Sequence, residues 1–270
     1  MELGSKLTNV ELKILEDEKA KKFFHSNFSF LNVHNGFRNG HLHMFMGSAG
    51  GGKSTLTRSM VIDVLCNRPP RKVLLWLSEE TRLQFLTEFD CSNFREYLSE
   101  SFFIYSEIDR GDVSSEQIMS DIQNIITENR IDILFYDNMT TSQTYMGKTV
   151  ADQSSFVKRI KIAATTWDIP VVIIAHTGAQ ITENYNQIIN MNDIRGSKDI
   201  VNQAEFFYIL QTFYEGSKRT MTLRIIKHRG YVLDDLIYHL TFSREVKLIS
   251  IAAPIPFEMF REAYRQRNQL

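Results

Sequence analysis

The segment Gly47-Ser48-Ala49-Gly50-Gly51-Gly52-Lys53-Ser54 fits the spacing G-x-x-x-x-G-K-[ST]. Glycines so placed let backbone N–H groups turn inward around phosphate oxygens, and the start of a following helix adds partial positive charge. Lys53 would reach the β- and γ-phosphates and Ser54 would ligate Mg²⁺, while Thr55 closes a cofactor-contacting set that runs from Gly47. The chemistry these residues imply is the binding of ATP with Mg²⁺. A glycine-rich turn that matches by chance is the bland alternative. The loop leaves an apolar run and opens a helical one, which is where phosphate binding requires it.

Asp137 ends the apolar run 131–136. A carboxylate at the C-terminal tip of a buried strand points into the crevice where parallel sheets bind ligands, and there it can hold the water shell of Mg²⁺. Glu79 and Glu80 follow the run 72–77 and Ser78. If that strand neighbours the loop strand, one carboxylate faces the γ-phosphate and can orient and deprotonate water. The other then caps the helix that opens near Thr81. Asn138 follows Asp137, so no glutamate stands beside the metal carboxylate to act as base. That makes Glu79 the candidate base, against the simpler reading of both glutamates as helix caps.

These groups need a scaffold that brings several strand ends together, and the hydrophobic pattern supplies one. Short apolar runs at 41–46, 72–77, 102–105, 131–136 and 171–175 alternate with helical patterns at 53–66, from about 81, near 115–128 and at 151–166. Such alternation predicts βαβ units, a parallel sheet and helices on both faces. Four further strands, at 206–210, 220–227, 236–242 and 246–251, read as antiparallel additions at the sheet edge, before a final helical stretch begun by Pro254 and Pro256. At the other end, Thr8 and Glu11 form a capping-box pattern opening an amphipathic helix to about Phe24. A connector with turn signals Asn35-Gly36 and Asn39-Gly40 follows.

The chain has 270 residues, 43% hydrophobic, a profile that can bury a substantial core and excludes a wholly disordered chain. No apolar run is long enough to span a bilayer, and the N-terminus lacks the apolar stretch of a secretory signal. With only Cys66 and Cys91 present, a thiol-reducing, cytoplasmic setting is the expectation. Lys and Arg total 31 against 32 Asp and Glu, so any nucleic-acid contact has to come from local loops rather than bulk charge.

Taken together, these residues resemble the RecA-like ATPase superfamily over roughly residues 30–250, specifically its DnaB- and RepA-type hexameric helicase branch, with KaiC-type ATPases as cousins. Asn35-Gly36-Phe37-Arg38-Asn39-Gly40-His41 resembles the turn before the loop strand in those families. Leu77-Ser78-Glu79-Glu80-Thr81 falls where the family carries its catalytic glutamate, which implies Glu79 as the base. Ile173-Ile174-Ala175-His176 matches the strand whose terminal residue senses the γ-phosphate, which implies His176 in that role. Lys227-His228-Arg229-Gly230 resembles the segment that supplies basic side chains to a neighbour's nucleotide, implying Arg229 as an arginine finger and Lys227 as its companion. The resemblance also implies a RecA-like doubly wound sheet over 31–270, preceded by an N-terminal helix and connector over 1–30.

Two loops of such proteins face DNA in the central channel. Here they correspond to about 139–152, carrying Lys148, and about 177–198, carrying Arg195 and Lys198. The resemblance therefore implies a homo-oligomer, a hexameric ring above all, moving on single-stranded DNA and detached from membranes. A ring would multiply one lysine into a basic collar. Unlike DnaB-type helicases, which carry a substantial primase-recruiting domain there, this chain has only about one helix before its core, a departure that RepA-type proteins share. That helix either packs on an adjacent subunit or covers its own sheet. A KaiC-like ATP switch without motor activity is the second expectation. A small-molecule kinase comes last, because the region after Asp137 offers Thr, Ser and Gln rather than the arginines of a lid.

Overall fold

A computed structural model describes residues 8–10, 12–13, 23–24, 26–33, 36–67, 70–88, 100–177, 188–189, 198–215, 218–229, 236–243, 248–260 and 262. The fold is α/β, with a large mixed sheet that is mostly parallel and turns antiparallel at one edge. In chain order its strands are β1 (Leu42–Gly47), β2 (Val73–Leu77), β3 (Phe102–Ser106), β4 (Ile133–Asp137), β5 (Val171–His176), β6 (Phe206–Glu215), β7 (Lys218–His228), β8 (Leu236–Phe242), β9 (Ile249–Ile251) and β10 (Ile255–Pro256). They lie in the order β9-β8-β7-β6-β1-β5-β4-β2-β3, with β10 pairing β8. The helices used below are α1 (Lys53–Leu65), α2 (Arg82–Glu88), α3 (Glu107–Arg110), α4 (Ser115–Asn129), α5 (Val150–Trp167) and α6 (Lys198–Gln203).

Strands β6-β1-β5-β4-β2-β3 run parallel. One expectation needs correcting: β6 joins parallel to β1, and only β7 and its successors are antiparallel. The long connection after β5, ending in α6, returns the chain to the other end of the sheet, and parallel pairing requires such a return.

Both faces of the sheet are covered, which explains why its strands read as continuous apolar runs. Along β1, Leu42, Met44 and Met46 face α4, α5 and α6, whereas Phe45 faces α1. Ile118, Ile122 and Ile126 form the buried stripe of α4. Ser114 caps that helix, and a capping box of Thr149 and Asp152 starts α5. Among the described residues no helix is long and apolar enough to cross a membrane.

The N-terminal helix expected to about Phe24 falls largely outside the described residues. Its predicted end is overturned: Phe23–Phe24 is a strand paired antiparallel with Phe37–Arg38. Adjacent aromatics favour extended backbone when a partner strand is at hand. The connector after it is no loose linker. Phe30 and Leu31 are fully buried, Phe30 among Phe45, Tyr208 and Tyr238. Ser26 and Asn27 donate hydrogen bonds to Asp63 of α1, which fastens the segment. The turn signals hold, since Gly36 and Gly40 take φ of 88° and 69°.

Residues 139–152 also differ from expectation. Met139–Thr141 form a 3₁₀ turn, Ser142, Thr144 and Tyr145 are buried, and α5 begins at Val150. The cause is Glu107, only 1% exposed, which accepts hydrogen bonds from Trp76 Nε1 at 2.7 Å, Ser142 Oγ at 2.5 Å and the Gln143 N–H at 2.8 Å. A buried carboxylate needs such donors, and it pins the segment in return.

His228 yields a stability prediction. Its ring is buried beside Phe206, and burial first, then the Arg38 charge, push its pKa from 6.5 to about 4. The unfolded chain takes up this proton first. Stability is therefore intact above pH 6.5 and declines as pH falls towards about 4. The expected loss is on the order of 2–3 kcal/mol, read by urea denaturation at pH 7 and 4.5. His228→Phe should flatten that difference by a similar amount.

Candidate nucleotide-phosphate site

Strand register brings the chemistry together. In the parallel pair β1–β5, Gly47 lies opposite His176; in β2–β4, Leu77 lies opposite Asp137. The glycine loop, Ser78–Glu79, Asp137–Asn138 and His176 thus leave the sheet at one level, at the C-terminal ends of neighbouring strands.

The loop conformation depends on its glycines. Gly50 and Gly52 have φ of 68° and 91°. A Cβ on Gly51 would come within 2.9 Å of the Ser48 carbonyl oxygen, and one on Gly47 within 2.7 Å of that of Leu210. Gly52 is the N-cap of α1 and no side chain caps that helix, so its first-turn N–H groups have no side-chain acceptor. Ser48, Gly51 and Lys53 are buried, Ala49 and Gly50 are exposed, and Gly52, Ser54 and Thr55 lie between.

Lys53 is 6% exposed and donates to the Ser48 carbonyl at 2.7 Å, with its Nζ 3.0 Å from His176 Nδ1. Burial lowers its pKa to about 8, against the opposing pull of Asp137 and Glu79. Burial raises Asp137 to about 6, opposed by Lys53 and by hydrogen bonds from Thr57 and Ser54. His176 is held below its usual value by burial and then by the Lys53 charge. Its Nε2 lies 3.4 Å from Glu79 Oε1.

The two glutamates separate cleanly. Glu79 faces the cluster, with Oε1 accepting from Asn138 Nδ2 at 2.7 Å. Glu80 instead pairs with Arg58 of α1 at 3.5 Å, and Arg58 also binds Glu88 and covers Phe85. Burial raises the Glu80 pKa, with Arg58 opposing. Glu79 thus faces the glycine-loop cluster, and Glu80 is held by a neighbouring helix.

Lys53, Ser54, Glu79, Asp137 and His176 therefore converge. Lys227 and Arg229 do not join them. Because Phe206 pairs with His228 while His43 pairs with Phe206, Arg229 lies at the N-terminal end of β1, roughly 16 Å, the strand's length, from the loop. There Lys227 donates to the carbonyls of Val201 and Asn202, closing the end of α6. Arg229, two-thirds exposed, lies 3.6 Å from the buried Glu205, which also pairs with Lys161 and accepts the Leu42 N–H. A role for Arg229 at a nucleotide requires a second copy of the chain. Lys148 lies on the exposed stretch before α5. Arg195 and the side chain of Lys198 lie outside the described residues, as does most of the second loop; its Ile189 is buried, with its N–H on Gln211 Oε1 at 3.0 Å.

Several contributors went unnoticed in the sequence. Asn138, noted there only for not being a glutamate, is 2% exposed and bridges Glu79 to His176. Thr57, one helical turn after Lys53, donates to the Lys53 carbonyl at 3.0 Å and helps hold the Asp137 pKa down, a spacing that could have flagged it. Arg219 of β7 donates to the Gly50 carbonyl at 2.7 Å, and Met221 lies under Gly52. No motif announces either.

The residues fit a phosphate with a divalent cation. Gly51 has no room for a side chain, the helix N-terminus has no side-chain cap, and two hydroxyls converge on a buried carboxylate. Among the described residues no group of three His, Cys, Asp or Glu forms a metal cage. Mg²⁺ needs none, since it keeps several waters and takes phosphate oxygens beside one or two protein ligands. No protein-family model matches the sequence, and no curated protein matches it either.

Proposed function

We propose that this chain is a RecA-like ATPase, and that hydrolysis of Mg²⁺–ATP at the glycine loop drives an oligomeric motor of the RepA/DnaB helicase type on single-stranded DNA. The observation that supports it most is the meeting of Lys53, Glu79, Asp137 and His176 at adjacent strand ends. In this reading the loop N–H groups and Lys53 hold the phosphates, while Ser54 and Asp137 hold the cation. Glu79 takes the proton from water as it attacks the γ-phosphate. His176 reports on that phosphate from β5.

Arg229 of a neighbouring subunit would complete the charge neutralisation, with Lys227 beside it, in a ring for which six copies are favoured. An arginine supplied in trans is worth on the order of 10³–10⁵ in rate in NTPases. Arg219 already places a guanidinium at the loop within the chain, so the two arginines can be told apart. Activity per subunit should rise with protein concentration. An inactive Lys53→Met protein mixed with an Arg229→Ala protein should recover activity, because each supplies what the other lacks at one class of interface. Concentration-independent turnover, together with full activity of Arg229→Ala, would remove the trans arrangement and leave Arg219 as the cation.

A second reading, an ATP-dependent switch of oligomerisation or partner docking like that of KaiC-type proteins, draws on Glu107. By pinning residues 142–143 it leaves the first loop a short exposed stretch with Lys148 as its lysine. Single-stranded DNA that stimulates hydrolysis and is displaced from a duplex supports the motor. A nucleotide-dependent ring with neither property supports the switch.

A further inference from the structure

We propose that Asn138 sets the tautomer of the His176 ring, so that a phosphate held at the glycine loop meets an N–H at Nδ1 instead of a lone pair. The inference rests on reading that loop as a phosphate site, and it makes Asn138 a positioning residue there.

The orientation of the Asn138 amide is fixed by the backbone. Its Oδ1 accepts the N–H groups of Thr140 at 2.7 Å and Thr141 at 3.3 Å. Turning the amide over would set its NH₂ against two donors. Nδ2 therefore presents one N–H to Glu79 Oε1 and the other to His176 Nε2, each at 2.7 Å. Across the ring, Nδ1 lies 3.0 Å from Lys53 Nζ. A neutral imidazole has one lone pair and one N–H. Here it stands between two donors and can accept from one of them at a time, while Glu79 Oε1, 3.4 Å from Nε2, is the acceptor that a proton on Nε2 would meet instead.

Protonating the ring would offer no acceptor at all, and burial beside the Lys53 charge favours the neutral form. The ring is therefore contested in the nucleotide-free protein. Lys53 has another acceptor in the Ser48 carbonyl, and an anion in the loop adds a stronger, charge-assisted one. Once Lys53 turns to the anion, Asn138 is the donor that remains. It takes the lone pair at Nε2, and the proton resides on Nδ1, facing the region Lys53 occupied. Because the same amide holds Glu79, one side chain orients both the candidate base and the candidate sensor.

Nitrogen-15 spectra of histidine-labelled protein test this, with His176, one of seven histidines, assigned by the signal lost in His176→Gln. Lys53→Met removes the competing donor without any nucleotide, and the ring should then show a bare Nε2 and a protonated Nδ1. In Lys53→Met/Glu79→Gln/Asn138→Asp, where the change at Glu79 keeps the new carboxylate from facing another at 2.7 Å, that carboxylate still accepts from Thr140 and Thr141 but offers the ring only oxygen, so Nε2 should carry a proton. The same tautomer in both proteins overturns the proposal. With Mg²⁺ and the β,γ-imido analogue of ATP, the unmutated protein should adopt the Lys53→Met pattern. Asn138→Asp should lower its preference for that analogue over ADP about tenfold, one hydrogen bond's worth. A bound analogue with Nε2 still protonated also overturns the proposal. If the analogue does not bind the unmutated protein, the phosphate-site reading falls, and the nucleotide-free pair of spectra alone decides the role of Asn138.

Discussion

Glu79→Gln is expected to stop turnover while leaving nucleotide bound. The amide keeps an oxygen to accept from Asn138 Nδ2 at the place Glu79 Oε1 now occupies, so the geometry of the cluster survives. What is lost is basicity, which acts in the chemical step and not in binding. Removing a general base lowers rate by about 10²–10⁴-fold. Fluorescent-nucleotide titration should therefore give a near-normal dissociation constant, beside phosphate release reduced by that factor. Glu80→Gln is the control. Its carboxylate is occupied by Arg58 on the side of α1, and loss of a partly exposed ion pair should leave turnover within about threefold. If Glu80→Gln is the inactive protein and Glu79→Gln turns over normally, the base has been misassigned by one residue.

Lys53→Met should abolish nucleotide binding without harming the fold. The side chain is nearly as long and carries no charge, so the cost of burying an ammonium disappears. The Ser48 carbonyl that Lys53 releases still accepts the Gly51 N–H at 3.1 Å. Asp137 loses its counter-charge in exchange, but with a pKa already near 6 it can take up a proton, so thermal unfolding should change little. Nucleotide affinity should fall on the order of 100-fold or more, because charge-assisted bonds to phosphate oxygens are lost at a buried site. Calorimetric titration with an ATP analogue and a melting curve on one preparation check both halves. A lysine serving only the fold would give the reverse, a lower melting point with affinity kept.

The element order was legible in the residues because hydrophobic periodicity is local. Strands buried on both faces read as apolar runs, and the Ile118, Ile122, Ile126 stripe reads as one face of a helix. The glycine loop was legible for a related reason. Its conformation is imposed within eight residues, where Gly50 and Gly52 take φ that other side chains resist. The carboxylates at strand ends followed from the same local grammar.

What the sequence could not carry was pairing. Glu79, Asn138 and His176 are separated by 59 and 38 positions and meet only because β2, β4 and β5 share a register. The choice of Glu79 over Glu80 was made by Arg58, a residue of another helix, and the placing of Arg219 at the loop by a strand hydrogen-bonded two positions away from β1. Residues 139–145, polar enough to read as a free loop, were drawn into the interior by the buried carboxylate of Glu107. Sequence alone thus determined the alternation of strands and helices in the parallel part of the sheet and the position of the glycine loop, but not the Phe23–Phe24 strand. Tertiary structure decided which side chains surround that loop, because hydrogen-bond partners are chosen by proximity in space, which no local pattern encodes.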